Sequence, residues 1–263
     1  MSREQQASLV ELRARAFALE SAAALRALAA RLARDPRAGA RSLAQHCADR
    51  ATELAAERRR VAGLFARRAR LLRAGARAIA GVDEVGVGPL AGPVVACAVV
   101  FAERPWLPGL DDSKRLTRAQ RERLDGEIRK QALAIGIGEV WSEELDRLNV
   151  YRAALEAMRR AVRALGTQPD HLLVDARTVP GVEIAQTPLV GGDARDGSIA
   201  AASIVAKVHR DALMRRLDAE HPGYGFARHM GYGTAQHLAA LRRLGPSPVH
   251  RRSFAPVAQL APL

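Results

Sequence analysis

The stretch from Ile79 to Val100 constrains this chain more than any other. An apolar run ends in two adjacent carboxylates, Asp83 and Glu84. The segment Gly86-Val87-Gly88-Pro89-Leu90-Ala91-Gly92-Pro93 follows, and then a second apolar run, Val94 to Val100. Short apolar runs bounded by glycine and proline predict strand, tight turn, strand. Successive strand residues point to opposite faces, so Asp83 and Glu84 cannot both be solvated at the end of a buried strand. Two such carboxylates need a cation or a positive partner, and the glycines admit close approach of a backbone or a ligand. Two readings fit this stretch alone. One is a metal site at a sheet edge facing a phosphate backbone; the other is an ordinary hairpin with a solvated acidic corner.

The 263 residues suffice for one large domain or two smaller ones, and at 48% hydrophobic they can bury a sizeable core. Cys47 and Cys97 form no CxxC, which argues against a disulfide framework or a zinc ribbon. No apolar run reaches membrane-span length and no signal-peptide core opens the chain, so the expectation is a soluble, cytoplasmic protein. The net charge is +13 and uneven: residues 1–78 hold 17 Arg, no Lys and 7 acidic residues, a net of +10, which leaves +3 for the rest. That balance favours polyanions, nucleic acid first.

Residues 1–77 are rich in Ala, Leu and Arg. Leucines and alanines at helical spacing predict a helix up to the break at Asp35-Pro36-Arg37, then a second from about Ser42 to Ala74, with Gly75 placed to end it. This basic extension reads either as a solvated helical hairpin or as an arm adding phosphate contacts. The main body, 78–263, alternates strands and helices. Thr117 is a cap for a helix through Lys130, Ala132 to Val140 is a strand, and Asn149 caps a helix with an apolar stripe to about Leu165. His171 to Asp175 and Val182 to Leu189 are further strands, and an Ala/Ile/Val helix runs from Ser198 to about Arg216. Ser113 and Lys114, a small hydroxyl and a rare lysine before a helix, suit phosphate binding. Ser203 and Lys207 lie one turn apart on the apolar helix, where a lysine is costly without an acid nearby. Tyr232, between two glycines, can be presented flat to a sugar or a base, or can anchor its loop in the core. Arg251 lies in the basic patch His250-Arg251-Arg252-Ser253-Phe254.

Four carboxylates, Asp83, Glu84, Asp175 and Asp193, fall at strand ends or adjoining turns. If the strands are neighbours, the acids converge and require divalent cations. Oxygen-only ligands favour Mg²⁺ or Mn²⁺ over Zn²⁺, and two such ions roughly 4 Å apart can promote phosphodiester hydrolysis.

On these residues the chain resembles the bacterial type 2 ribonucleases H (ribonuclease HII). The resemblance spans about Ala80 to Val257. It is carried by Gly81-Val82-Asp83-Glu84 with Gly88-Pro89-Leu90-Ala91-Gly92-Pro93, by Asp112-Ser113-Lys114, Leu173-Val174-Asp175 and Gly192-Asp193, by Ile199 to Val208 with Arg210-Asp211, and by Gly231-Tyr232-Gly233-Thr234 and His250 to Phe254. It implies an α/β, ribonuclease-H-like mixed sheet flanked by helices, with an N-terminal helical extension and a C-terminal helical region. It implies cleavage of RNA in RNA–DNA hybrids and at single ribonucleotides embedded in duplex DNA, as in ribonucleotide excision repair, leaving 3′-hydroxyl and 5′-phosphate ends. The expected cofactors are two divalent ions, Mg²⁺ or Mn²⁺, on Asp83, Glu84, Asp175 and Asp193. The expected nucleic-acid contacts are Gly86, Val87 and Gly88 at the 2′-hydroxyl, Tyr232 on the junction sugar, and Ser113, Lys114, Ser203, Lys207 and Arg251. A monomer is expected. One departure stands out: Val87 replaces the arginine of the family's Gly-Arg-Gly loop. This leaves open an alternative, a catalytically weakened hybrid-binding protein of the same fold. Met230 likewise replaces a usual lysine.

Overall fold

Helical spacing of Leu and Ala organises the N-terminal residues. The computed structural model describes residues 7–260, which fall into two units parted between Gly63 and Leu64. The first unit comprises α1 (Leu9–Ala18), α2 (Ala22–Leu32) and most of α3 (Ala38–Leu64). Leu12 and Ala16, Leu25, Leu28 and Leu32, and Ala40, Leu43 and Cys47 build its own core. The periodicity up to Asp35 predicts one helix, and the structure has two. Ser21 caps α2 by accepting from the Ala24 N–H, and Arg50 donates to the carbonyls of Ala16 and Leu19 beside the break.

The second predicted helix is also divided, because α4 (Ala66–Arg73) restarts after Phe65. The Phe65 ring turns edge-on to Phe101, 5.9 Å away. Leu71 and Leu72 pack with Ile79, Leu173 and Ile199, and Arg68 donates to the Phe101 carbonyl. This helix therefore belongs with the sheet, and the unit boundary lies upstream of the 77/78 that composition suggests.

The two apolar runs become β1 (Ile79–Val85) and β2 (Val94–Phe101), antiparallel, with Asp83 opposite Cys97. Thr117 caps α5 (Arg118–Gln131), which leads to β3 (Ala132–Val140) on the outer side of β2. α6 (Ser142–Leu148) and α7 (Val150–Arg163) cross over to β4 (His171–Asp175), parallel to β1, and β5 (Ala185–Leu189) completes the order β3-β2-β1-β4-β5. The last strand starts three residues later than predicted. It is an edge strand whose only partner is the five-residue β4, and pairing begins at His171↔Ala185.

Alternation along the strands sorts the two faces. Ala80, Val82, Ala96, Ala98 and Val174 pack with Ala153, Ala154, Ala157 and Met158 of α7. The opposite face lies under α9 (Gly197–Glu220), which follows the single turn α8 (Gly192–Arg195). Gly81 makes this possible, since a Cβ there would collide with the Ser198 carbonyl. The start of α9 thus rests on the backbone of β1, two residues from Asp83. The last helices, α10 (Phe226–His229), α11 (Ala235–Leu244) and α12 (Ala255–Ala258), share a second core with Leu90, Ala91 and Met214. Among the described residues no helix is long and apolar enough to cross a membrane.

Candidate active site

Strand register brings the acids together. Val82 pairs with Val174, so the next step along each strand sets Asp83 beside Asp175 at the C-terminal ends of two central strands, where open α/β sheets hold ligands. Asp83, Glu84 and Asp175 offer oxygens that all lie within 4.8 Å of one another. Asp83 is buried; it accepts from the Glu84 N–H at 2.8 Å and from the Ser203 hydroxyl. Ser203 in turn lies 2.9 Å from the Ser113 hydroxyl, which tethers α9 and the Ser113 loop to the same carboxylate. Asp175 accepts from the Gly192 N–H at 2.6 Å.

Burial disfavours charge on all three groups. Asp83 is held well above the usual carboxylate range, by burial first and the Glu84 charge second. Burial also raises Glu84, and the Arg177 guanidinium pulls it back. Asp175 is raised by burial against the Gly192 hydrogen bond. The Glu84 Oε2 atom is buried with no partner among the described residues. Three converging carboxylates with suppressed ionisation and an unsatisfied inward oxygen fit a hard divalent cation, with no nitrogen or sulfur donor in the cluster.

The fourth predicted acid stands apart. Asp193 Oδ2 accepts from Lys114 Nζ at 2.8 Å, and its other oxygen accepts from the Ala194 N–H. Its charge is still felt at Asp175. The structure thus gathers three acids and holds the fourth on a lysine, which Asp193 makes more basic.

A cleft of about 470 Å³ opens over the acids. Gly86, Val87, Gly88, Ser113, Lys114, Ser203, Lys207 and Tyr232 all line it. The Lys207 ammonium pairs with Asp211 at 2.7 Å, and the Tyr232 ring is 46% exposed at the rim. The Val87 side chain packs against the α7-side core, and Met230 packs against the C-terminal core.

Arg251 corrects the sequence reading. The basic patch suggests a phosphate contact, yet Arg251 is fully buried. It donates to the carbonyls of Gly86 at 2.6 Å, Val87 at 2.9 Å and Gly92 at 2.9 and 3.1 Å. Three backbone carbonyls take four of its five N–H donors, and the buried side chain presents no surface to a phosphate. Arg210, which the sequence reading did not select as a site residue, is its counterpart. It donates to Pro93, Met230 and Ala91 carbonyls at 2.9 to 3.1 Å. Its signal was present: an arginine inside an Ala/Ile/Val helix must find partners. A peptide is planar, with its C=O and N–H opposed. Drawing the Gly86 and Val87 carbonyls inward therefore turns the Val87 and Gly88 N–H groups away from Arg251, in a loop that lines the cleft.

A mixed sheet with acids at the ends of adjacent central strands, beneath a basic cleft, defines a ribonuclease-H-like, metal-dependent nuclease. The Ribonuclease HII family model matches residues 80–257. The chain is 52% identical to the ribonuclease HII of Geobacillus thermodenitrificans over 226 residues, 86% of this chain and 87% of that protein. It is 49% identical to the Myxococcus xanthus ribonuclease HII over 253 residues, 96% of this chain and 86% of that protein, so this similarity extends into the helical extension. Among solved structures, the ribonuclease H2 of Pyrococcus horikoshii aligns with a TM-score of 0.58 at 26% identity, covering 70% of this chain and 96% of that one. The chain belongs to the ribonuclease HII family, hydrolases that cleave RNA in RNA–DNA hybrids with a divalent metal.

Proposed function

We propose that this protein incises duplex DNA at single embedded ribonucleotides, as well as the RNA strand of hybrids, cutting on the 5′ side of the ribonucleotide to leave 3′-hydroxyl and 5′-phosphate ends. The observation that carries this reading is the clamped loop. With the Gly86 and Val87 carbonyls held by Arg251, the Val87 and Gly88 N–H groups point away from the clamp, in a loop that lines the cleft beside the exposed Tyr232 ring. Rigid donors suit a single 2′-hydroxyl, the group that separates RNA from DNA, and an aromatic face suits the neighbouring sugar. Gly88 lies where a Cβ would sit 3.8 Å from the Tyr232 ring, so reader loop and ring form one surface.

Asp83, Glu84 and Asp175 would hold two divalent ions, Mg²⁺ or Mn²⁺, together with Asp193 once Lys114 releases it. Ions bound there supply an activated water and charge neutralisation at the leaving oxygen. Asp83, fixed by the Ser203 hydroxyl and the Glu84 N–H, would be a rigidly held ligand for such ions. Lys114, with a 79% exposed side chain, is free to follow a backbone phosphate.

The test is cleavage of a DNA duplex carrying one ribonucleotide, in Mg²⁺, Mn²⁺ or EDTA, with Asp83→Asn as control. Metal-dependent cutting on the 5′ side, lost in the control, is expected. Tight binding without cutting in either metal would replace this reading with the hybrid-binding alternative that Val87 raises.

A further inference from the structure

Behind Tyr232 lie three histidines that the chemistry does not use. His237 and His250 are buried completely or nearly so, and His229 is 8% exposed. Their backbone partners fix their tautomers. The Ser247 N–H donates to His250 Nδ1 at 2.9 Å, so that nitrogen carries no proton and Nε2 does. His250 Nε2 faces His237 Nε2 at 3.0 Å, so the latter accepts. The proton of His237 is thus on Nδ1, which donates to the Tyr232 carbonyl at 2.9 Å. One directed chain of hydrogen bonds runs from Ser247 through two imidazoles to the peptide of Tyr232.

The surroundings keep this chain single-valued. His229 stacks on His237 at 4.4 Å and 15°, and Phe226 meets His237 edge-on at 5.5 Å. Burial lowers the basicity of His237 and of His250, the latter to about 4, so both rings are neutral near pH 7. His229 accepts from the Gly231 N–H, and Leu90 donates to the Gly231 carbonyl. The Tyr232 carbonyl also accepts from Thr234 and its N–H donates to His229. The backbone is bound on every side while the ring stays exposed. A bond to a neutral backbone oxygen adds little to a core that Phe226, Tyr224 and Leu241 already fill. Its directionality is what distinguishes it.

We propose that His237, oriented through His250, is a positioning residue that sets the Tyr232 peptide and thereby aims the Tyr232 ring at the sugar beside the reader loop. This rests on the reading of Tyr232 given above.

Two isosteric halves of the imidazole separate the roles. His237→Asn keeps a donor near Nδ1, for Tyr232, and loses the acceptor for His250. His237→Gln keeps an acceptor near Nε2, for His250, and loses the donor for Tyr232. Each gives up one bond, so a purely structural role affects both alike. The measurements are KM and kcat on the single-ribonucleotide duplex, and the Kd for that duplex and for all-DNA duplex in EDTA by fluorescence anisotropy. His237→Gln is expected to raise KM and the metal-free Kd for the ribonucleotide duplex about tenfold, with kcat and all-DNA binding within about twofold. His237→Asn is expected to stay within about threefold of the parent. His250→Asn, which keeps the Ser247 acceptor and drops the link to His237, should fall between them, and it replaces His237→Gln if that variant does not fold. In a Tyr232→Ala background His237→Gln should add nothing further. Equal effects of Gln and Asn while Tyr232→Ala weakens binding would overturn the relay alone, as would additivity with Tyr232→Ala. If Tyr232→Ala itself changes neither KM nor Kd, the reading of Tyr232 fails and the relay with it.

Discussion

Replacing Arg251 with lysine tests the clamp directly, because it keeps the charge and removes the fork. The guanidinium spreads its donors over three carbonyls, those of Gly86, Val87 and Gly92. A single ammonium in the same tunnel can reach one of them well. Hydrogen bonds from a charged donor contribute about 1.5–3 kcal/mol each, so losing two anchors destabilises the protein by about 3–6 kcal/mol. Against a total stability of roughly 5–15 kcal/mol the variant is expected to fold with a lowered midpoint. Urea unfolding followed by circular dichroism reads that shift, and steady-state cleavage of a hybrid reads the loop. We expect kcat/KM to fall by about a hundredfold or more, since the Val87 and Gly88 N–H groups lose their fixed direction. The salt dependence of binding is expected to stay unchanged, because Arg251 neutralises no phosphate. An unshifted urea midpoint, with a shallower slope of log Kd against log salt, would refute the clamp and restore Arg251 as a surface phosphate contact.

Other substitutions probe the acids and the loop. Asp83→Asn removes a carboxylate whose charge burial and Glu84 oppose, so the metal-free variant should melt no lower than the parent. The parent alone should gain about 2.7 kcal/mol at a hundredfold excess of Mn²⁺ over its Kd; melts after EDTA stripping decide this. Lys114→Met frees Asp193 from its cation and should tighten Mn²⁺ binding by calorimetry while raising KM, and an unchanged isotherm would count against the Lys114–Asp193 exchange. Val87→Arg adds a donor fork at the cleft and should lower KM by about tenfold at fixed salt, whereas equal kinetics on a junction substrate would remove Val87 as a weakness. His250 has a folded pKa of about 4, below the ordinary 6.5. Its contribution of about 3 kcal/mol is therefore complete above pH 6.5 and declines as pH falls toward 4. Urea midpoints at pH 7.5 and pH 5 should show that loss, and His250→Asn should flatten it.

Local signals carried much of this architecture. The hairpin, the caps at Thr117 and Asn149, the α7 stripe and the acids at the ends of β1 and β4 follow from alternation, periodicity and side-chain chemistry within a few residues. Long-range pairing was not legible. Nothing near Asp193 announces that Lys114, 79 residues earlier, holds it. Nothing in a run of basic residues tells an inward arginine from an outward one, because the carbonyls that claim Arg251 lie 159 to 165 residues away. The break at Phe65 depends on a ring finding Phe101 across the fold, and β5 takes its length from its neighbour. Composition placed the unit boundary by arginine content, whereas packing placed it where the helix begins to cover the sheet.

The span between Gly86 and Arg251 also orders events during synthesis. A chain emerging from the ribosome presents β1 and its two acids early, but Asp175 arrives 92 residues after Asp83, and the clamp residue arrives 165 residues after Gly86. Until Arg251 is out, the Gly86 and Val87 carbonyls have no inward partner and the reader loop has no fixed direction. A nascent or prematurely stopped chain can therefore carry all four acids and still lack the Arg251 clamp on the Gly86–Gly88 loop. The clamp on the cleft loop thus closes only once residue 251 has been made.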